Sequence, residues 1–390
     1  MMMITPPPLA GGGLGGGGPC PHFDACGGCT LHHLADTTYI EHKSTLLATA
    51  LRRAGFTDVA LSPAARSGRG ERRRMDLAAR RTPEGVQLGL HRERSTDIVD
   101  LTTCLVLHPT LVALLPPMRD SLRRLQAFRR EASVIANQLD SGPDVLLRTD
   151  APLTLSDRLA LTEFARAQSL PRIAWAQGND EPEPIVVLHP PTTILSGTTI
   201  TPPPGAFLQA SASGEAAIID TVLTALPAKG RVAELFAGCG TITFAMVQLA
   251  RITAWEGDAP SVSALRNAAN HAGLAGRIEA THRDLARQPL QAKELAPFAA
   301  VVLDPPFAGA ASQVALIAAA KVPVVIYVNC NPATLSRDAR LLHQSGYQLQ
   351  SATPIDQFLW SARLESVCVF TSVPAARRPT YRAPIPHSPA

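Results

Sequence analysis

Cys330 lies in Asn329-Cys330-Asn331-Pro332, and Asp304 opens Asp304-Pro305-Pro306, 26 positions earlier. A cysteine thiolate adds to electron-poor carbon; without a lowered pKa the same residue is only a small buried hydrophobe. A second constellation suits a nucleoside. Glu234-Leu-Phe236-Ala-Gly238-Cys239-Gly240 contains glycines that permit a tight turn and close approach of backbone to ligand. It lacks the third glycine and the lysine of phosphate-binding loops, so neither a P-loop nor a dinucleotide fingerprint fits. Further on, Glu256 is placed to take both ribose hydroxyls and Asp284 to receive an adenine amine.

The hydrophobic pattern says which elements must hold these groups. Apolar runs at 232–236, 252–256, 299–303, 322–328 and 367–370 alternate with helical patterns. That alternation predicts βαβ units, a mainly parallel sheet and an α/β fold. Cys330, Asp304 and the Gly238 turn then each leave the carboxyl end of a strand, where open α/β sheets carry their chemistry. Pro202-Pro203-Pro204-Gly205 breaks regular structure and marks a boundary. We expect a disordered Gly/Pro-rich tail over 1–18, a cysteine-rich region over 19–107 and a central α+β domain over 108–205. The parallel-sheet domain follows over 206–373, then a disordered Pro/Arg-rich tail over 374–390.

At 390 residues, 46% hydrophobic and 17% charged, the chain suits two or three globular domains. A net charge of +4 permits a polyanionic partner without demanding one. No apolar run approaches the ~20 residues that span a bilayer. The N-terminus lacks a charged segment followed by an apolar one, so it is no secretory signal. A cytoplasmic protein without a membrane partner is expected, in which cysteines serve metals or catalysis rather than disulfides.

Cys20-Pro-His22-Phe-Asp-Ala-Cys26-Gly-Gly-Cys29 packs three thiols into ten residues, and Cys104 follows after 74 more. Four thiolates suit tetrahedral zinc or a [4Fe–4S] cluster, and His22, His32 and His33 could complete a zinc site instead. Between Arg69 and Arg94 lie eight arginines against four acids. Arginine forks match phosphate oxygens, so Arg72, Arg73, Arg74, Arg92 and Arg94 are candidates for contacts to nucleic acid; the alternative is a solvated basic surface.

Together these segments resemble the RNA (uracil-5-)-methyltransferase family, which makes 5-methyluridine in ribosomal and transfer RNA. The resemblance runs over roughly 20–370. It is carried by the Cys20–Cys29 motif, Phe207-Leu-Gln209-Ala-Ser, Glu234-Leu-Phe-Ala-Gly-Cys-Gly, Asp304-Pro-Pro, Cys330-Asn-Pro-Ala-Thr-Leu-x-Arg-Asp338 and Leu364-Glu365-Ser. The Cys-Asn-Pro-Ala-Thr and Leu-Glu-Ser segments discriminate; the glycine turn alone says only methyltransferase. The resemblance implies a Rossmann-like class I domain with a mainly parallel seven-stranded sheet, using S-adenosyl-L-methionine. Its cofactor contacts would be Gln209, Glu234, Phe236, Gly238, Gly240, Glu256, Asp284 and Asp304. It also implies a [4Fe–4S] cluster on Cys20, Cys26, Cys29 and Cys104, a feature of the ribosomal-RNA members, which favours 23S ribosomal RNA as substrate. We expect no small β-barrel RNA-binding domain, as some members carry, before Cys20. A monomer without an obligate protein partner is expected.

By the same resemblance, Cys330 attacks C6 of uracil, C5 takes the methyl group, and Glu365 removes the C5 proton so that Cys330 is expelled. Asp304 positions uracil or the methionine moiety. The target base leaves its stack, which suits a uridine in single-stranded or loop RNA. Cys239 and Cys368 read as packing residues. The chain departs from the family at Phe307, usually Arg, at Asn329, usually Ser, at Glu234, usually Asp, and before Glu365, where Pro-His is missing. Three other readings compete: a transfer-RNA 5-methyluridine enzyme, an N6-adenine or N2-guanine methyltransferase using Asp304-Pro-Pro-Phe307, and a non-enzymatic RNA-binding iron–sulfur protein.

Overall fold

The computed structural model describes residues 20–372; both expected tails, 1–18 and 374–390, lie outside the described residues. A cysteine-bearing run of turns leads into helix α1 (Asp36–Ala54) and the two-residue strand β1 (Ala65–Arg66). A first sheet then forms from β2 (Arg74–Thr82), β3 (Gly85–His91), β4 (Ile98–Asp100), β5 (Glu131–Leu139), β6 (Gly142–Thr149), β7 (Arg172–Gln177) and β8 (Glu183–Val187). Its order is β4-β3-β2-β5-β6-β7-β8, and only β6 and β7 run parallel. Helices α2 (Pro109–Ala113), α3 (Leu115–Arg124) and α4 (Leu155–Ala167) bury Leu111, Leu115, Leu122 and Leu161 in one core with Met75, Leu88 and Val134 of the sheet. A hairpin of β9 (Thr193–Leu195) and β10 (Thr198–Ile200) follows.

The second sheet is introduced by α5 (Ala212–Ala225), whose first turn is capped by the Ser211 hydroxyl. It continues β11 (Arg231–Leu235), α6 (Thr241–Met246), β12 (Arg251–Glu256), α7 (Ala259–His271), β13 (Ile278–His282), α8 (Ala292–Leu295) and β14 (Ala300–Leu303). It ends with α9 (Ala311–Ala320), β15 (Val324–Asn329), α10 (Pro332–Gln344), β16 (Gln348–Asp356) and β17 (Glu365–Thr371). The strand order is β1-β16-β17-β15-β14-β11-β12-β13, and β17 alone runs antiparallel to both neighbours. Strands of a parallel sheet are covered on both faces, which is why β14 and β15 read as unbroken apolar runs. The order in which strands are added reverses between β11 and β14, the switch point at which open α/β sheets bind ligands.

Three expectations change. The sheet has eight strands, because β1 joins it beside β16 with Ala65 opposite Ile355. The expected boundary at 107/108 is absent from the first sheet: β2 pairs with β5, and Leu77 faces Val134 across it. Nor is the cysteine-rich region separate from the second domain. Leu47 and Leu51 of α1 share a core with Leu335, Ala339 and Leu342 of α10. Composition marks where chain character changes; long-range pairing decides which elements share a core.

One buried ion pair fixes α1 to the end of β16. Lys43 Nζ donates to Asp356 Oδ1 at 2.8 Å, with both side chains almost wholly buried. Tyr39 OH donates to the other Asp356 oxygen and accepts from Trp360 N at 2.8 Å, while Lys43 also reaches the Arg363 carbonyl. The loop 357–364 is thereby tied at both ends to α1. Removing one partner of such a pair strands a buried charge, so Asp356→Ala lowers unfolding free energy in urea by about 3–5 kcal/mol. The added change Lys43→Met recovers part of the loss; a loss under about 1 kcal/mol in the single variant contradicts this role.

Candidate active site

The sheet's topology brings the distant candidate residues together. Cys330 follows the last residue of β15 and precedes α10, whose first turn is set by Pro332 and capped by the Asn331 side chain on Ala333 N. Because β17 runs antiparallel to β15, it begins where β15 ends, with Ser366 opposite Asn329. Glu365 therefore stands beside Cys330. On the other side of β15, Leu303 of β14 pairs with Tyr327 and with Leu235 of β11. Asp304 thus emerges between the Cys330 turn and the glycine turn.

Side-chain hydrogen bonds fix this arrangement. The Asn329 amide oxygen accepts from Asn331 N at 2.7 Å, closing the Cys330 turn. Asparagine at this departing position thus does what the turn needs. Asp338, fully buried on α10, accepts from Ala310 N at 2.8 Å, Tyr327 OH at 2.7 Å and Arg337 Nε at 2.7 Å. Asn331 Nδ2 donates to the Phe307 carbonyl at 3.0 Å. Both pin the loop after Asp304 onto the Cys330 helix.

A chain of four side chains then crosses the cleft. Gln209 Nε2 donates to Asp304 Oδ2 at 2.9 Å, and Gln209 Oε1 accepts from Gln357 Nε2 at 2.8 Å. The same Gln357 nitrogen donates to Glu365 Oε2 at 2.9 Å, and Gln357 Oε1 accepts from Ala210 N at 2.9 Å. The other oxygen of Glu365 has no partner among the described residues, although the residue is 3% exposed. Burial, then the nearby Asp304 charge, raise the Glu365 pKa well above the usual carboxylate value; the Gln357 bond opposes them. Burial pushes Asp304 up to about 6. The Cys330 thiol is pushed up to about 11 by burial and by Glu365 and Asp304, with Arg363 acting the other way. Cys330 is therefore a thiol at neutral pH in the free protein.

Gln357 escaped the sequence reading. The one signal was a second polar residue directly after Asp356, where β16 ends. Of the arginines, Arg73 departs from expectation: its guanidinium donates to the Gln209 carbonyl at 2.9 Å and pairs with Glu215. It braces Gln209 from inside and is not part of an outward face. Arg74 covers the exposed Phe207 ring at 5.1 Å, and Arg72 lies close enough to Arg74 and Arg363 to feel their charge. Arg92 and Arg94 are exposed on the turn between β3 and β4.

The glycine turn carries the second group of candidates. Glu234 is buried, accepts from Thr243 Oγ1 at 2.5 Å, and is pushed up to about 8 by burial and by Asp304 and Glu256. Phe236 takes φ = 64°, a strained choice for a non-glycine residue and one that clusters at ligand sites. Gly240 at φ = 98° cannot be replaced, since a Cβ would stand 2.5 Å from Leu265. A Cβ on Gly238 would meet nothing within 4 Å, so the turn opens into free space. Glu256 accepts from Gly238 N and Asp258 N, each at 2.8 Å. Asp284 is exposed beside Gly257, whose Cβ would stand 3.7 Å from the Asp284 Cα. Glu234, Glu256 and Asp304 thus lie at or just after the carboxyl ends of β11, β12 and β14, with Asp284 just after β13.

Cys20, Cys26, Cys29 and Cys104 are each half-buried. The Cys29 thiol is pushed up to about 12 by burial and by the other three cysteines, which places all four within electrostatic reach. A Cβ on Gly28 would stand 3.5 Å from Cys26 Sγ and 3.2 Å from Leu90, so the bare glycine leaves the room beside that sulfur. Among the described residues no three His, Cys, Asp or Glu side chains are poised on a single metal ion. His22 Nε2 accepts from Thr102 N at 3.2 Å, and His32 packs on Trp360 at 4.1 Å. Those contacts are structural and do not favour the zinc alternative. No helix of the described residues is long and apolar enough to cross a membrane.

The family model for tRNA (uracil-5-)-methyltransferase matches residues 202–373, the second sheet with its helices. An RNA methyltransferase of Brucella melitensis is 38% identical over 352 residues, covering 90% of this chain and 83% of that protein. The 23S rRNA (uracil(1939)-C(5))-methyltransferase RlmD of Chromohalobacter salexigens is 34% identical over 366 residues, covering 90% and 76%. A solved structure of the Pyrococcus abyssi tRNA (uracil-54, C5)-methyltransferase with S-adenosyl-L-homocysteine superposes with a TM-score of 0.65 at 18% identity, over 89% of this chain and 86% of that one. That likeness concerns the fold. With the sequence relatives and the cleft, it settles the classification: the chain belongs to the RNA (uracil-5-)-methyltransferase family, whose reaction is S-adenosyl-L-methionine-dependent methylation of uracil C5 in RNA.

Proposed function

We propose that this protein makes 5-methyluridine in 23S ribosomal RNA with Cys330 as nucleophile and Glu365 as base, acting as a monomer in the cytoplasm. The observation that carries the reading is the convergence of Cys330, Asp304 and a Glu365 oxygen left without a partner. The 23S choice rests on the RlmD relative and on the four cysteines.

The chemistry follows from the electron demand of uracil. Carbon C5 is a weak nucleophile. When the Cys330 sulfur bonds to C6, the C5=C6 pair shifts toward the C4 carbonyl and forms an enolate. The thiol proton passes to solvent water as that bond forms, and Cys330 is re-protonated after the final step. Carbon C5 then displaces the sulfonium, taking the methyl group and releasing S-adenosyl-L-homocysteine. Glu365 Oε1 accepts the C5 proton, C5=C6 re-forms, and the C6–S bond breaks to return Cys330. A buried carboxylate held at Oε2 by Gln357 is a strong acceptor at its other oxygen. The donor is held by Gln209, Glu234, Phe236, Gly238, Gly240, Glu256, Asp284 and Asp304. Arg72, Arg74, Arg92 and Arg94 contact RNA phosphates.

Glu365→Gln keeps the first two steps and loses the third. On a denaturing gel with uridine RNA and S-adenosyl-L-methionine, this variant accumulates a slow-migrating methylated covalent complex, with turnover reduced about 100-fold or more. Free turnover, or no complex from a folded variant, contradicts the role of Glu365. An N6-adenine or N2-guanine enzyme would form no such complex.

We also assign Cys20, Cys26, Cys29 and Cys104 as ligands of a [4Fe–4S] cluster, a group whose thiolates stand farther apart than those around a single ion. Bound there, it supplies a rigid cross-link between the N-terminal turns and the loop bearing Cys104, with no redox step. Anaerobically purified protein then contains about four irons per chain and absorbs near 400 nm. Stoichiometric zinc without iron overturns the assignment.

A further inference from the structure

One exposed aromatic ring at the mouth of the cleft is not used by the mechanism. Phe307 is 55% exposed, on a loop that is otherwise held firmly. Its carbonyl accepts from Asn331 Nδ2 at 3.0 Å, Ala308 O accepts from Arg337 at 2.9 Å, and Ala310 N donates to Asp338 at 2.8 Å. The turn is closed by Gly309 N on the Pro306 carbonyl at 2.8 Å. These bonds hold the loop backbone, and so the origin of the Phe307 side chain, in a set place beside Cys330 and Asp304.

Three loops locate the ring. It lies three residues after Asp304, bonded through its backbone to the residue after Cys330, and its ring is 5.4 Å from the Arg363 guanidinium. Arg363 lies two residues before Glu365 and is close enough to Cys330 to lower its pKa. Arg363 is itself fixed, because Lys43 holds its carbonyl. A guanidinium on the ring makes a cationic, flat pair, the surface on which unstacked bases settle.

We propose that Phe307, backed by Arg363, is the stacking platform for the nucleobase next to the target uridine. The inference rests on the uridine reading given above and adds the subsite that holds the RNA once the target has left its stack. Extruding the target leaves its neighbour without a stacking partner, and the platform supplies one.

The test is a cycle between protein and RNA, using a ribosomal-RNA hairpin that the wild-type protein methylates. Binding is read by fluorescence anisotropy, with an abasic residue placed on either side of the target uridine. Phe307→Ala weakens binding of the intact hairpin about 10-fold, while Phe307→Trp restores it. One of the two abasic hairpins binds the wild type about 10-fold more weakly, and Phe307→Ala causes no further loss with that RNA. Unchanged binding by Phe307→Ala overturns the platform, and so do losses that multiply at both positions. A wild-type protein that methylates no uridine hairpin overturns the underlying reading instead, an outcome distinct from a flat Phe307 response.

Discussion

The arrangement depends on two glutamine amides wedged between two buried carboxylates. Burial raises the cost of ionising both Asp304 and Glu365, and the Asp304 charge adds to it at Glu365. An isolated carboxylate in this position would rotate toward any donor and stay protonated. Gln357 opposes this, because its amide is fully committed. Its nitrogen donates to Glu365 and Gln209, and its oxygen accepts from Ala210 N. Gln209 carries the same constraint to Asp304. One Glu365 oxygen is thereby fixed, leaving the other presented in a low-dielectric space where a proton acceptor is most effective.

The two halves of the molecule meet at this chain. Gln209 arrives from the segment linking the first sheet to the second and is braced by Arg73, the residue before β2. Gln357 and Glu365 bound the loop between β16 and β17. That loop is gripped from below by Tyr39, Lys43 and Asp356, and from the side by the cysteine-bearing turns. Leu31 N donates to the Trp360 carbonyl at 2.8 Å, and Leu359 and Trp360 share a small core with Cys29 and Cys104. The N-terminal region therefore supports the loop that leads into Glu365.

Much of this was legible in the residues, for identifiable reasons. A parallel sheet buries both faces, so its strands announce themselves as apolar runs, and the chemistry at their ends followed. Cys330, Asp304 and the Gly238 turn were found in this way. Glu365 was visible only through family resemblance, because a glutamate opening a strand has no local mark of function. Its approach to Cys330 is a consequence of the antiparallel course of β17, a pairing between segments distant in sequence. Arg73 was misread as outward-facing because its partner Glu215 lies 142 residues away. The boundary at 107/108 is crossed in the same way, since β2 before it pairs with β5 beyond it. Gln357 was missed because a single buried amide has meaning only beside its partners.

The account stands on a bond between one sulfur and the target base. Wild-type protein incubated with S-adenosyl-L-methionine and 5-fluorouridine-substituted RNA cannot complete elimination, since fluorine replaces the proton that Glu365 would take. After nuclease and protease digestion, mass spectrometry should find a methylated fluoro-dihydrouridine on the peptide containing Cys330 and on no other cysteine. An adduct on a different cysteine, or methylated RNA released without any adduct, contradicts the account.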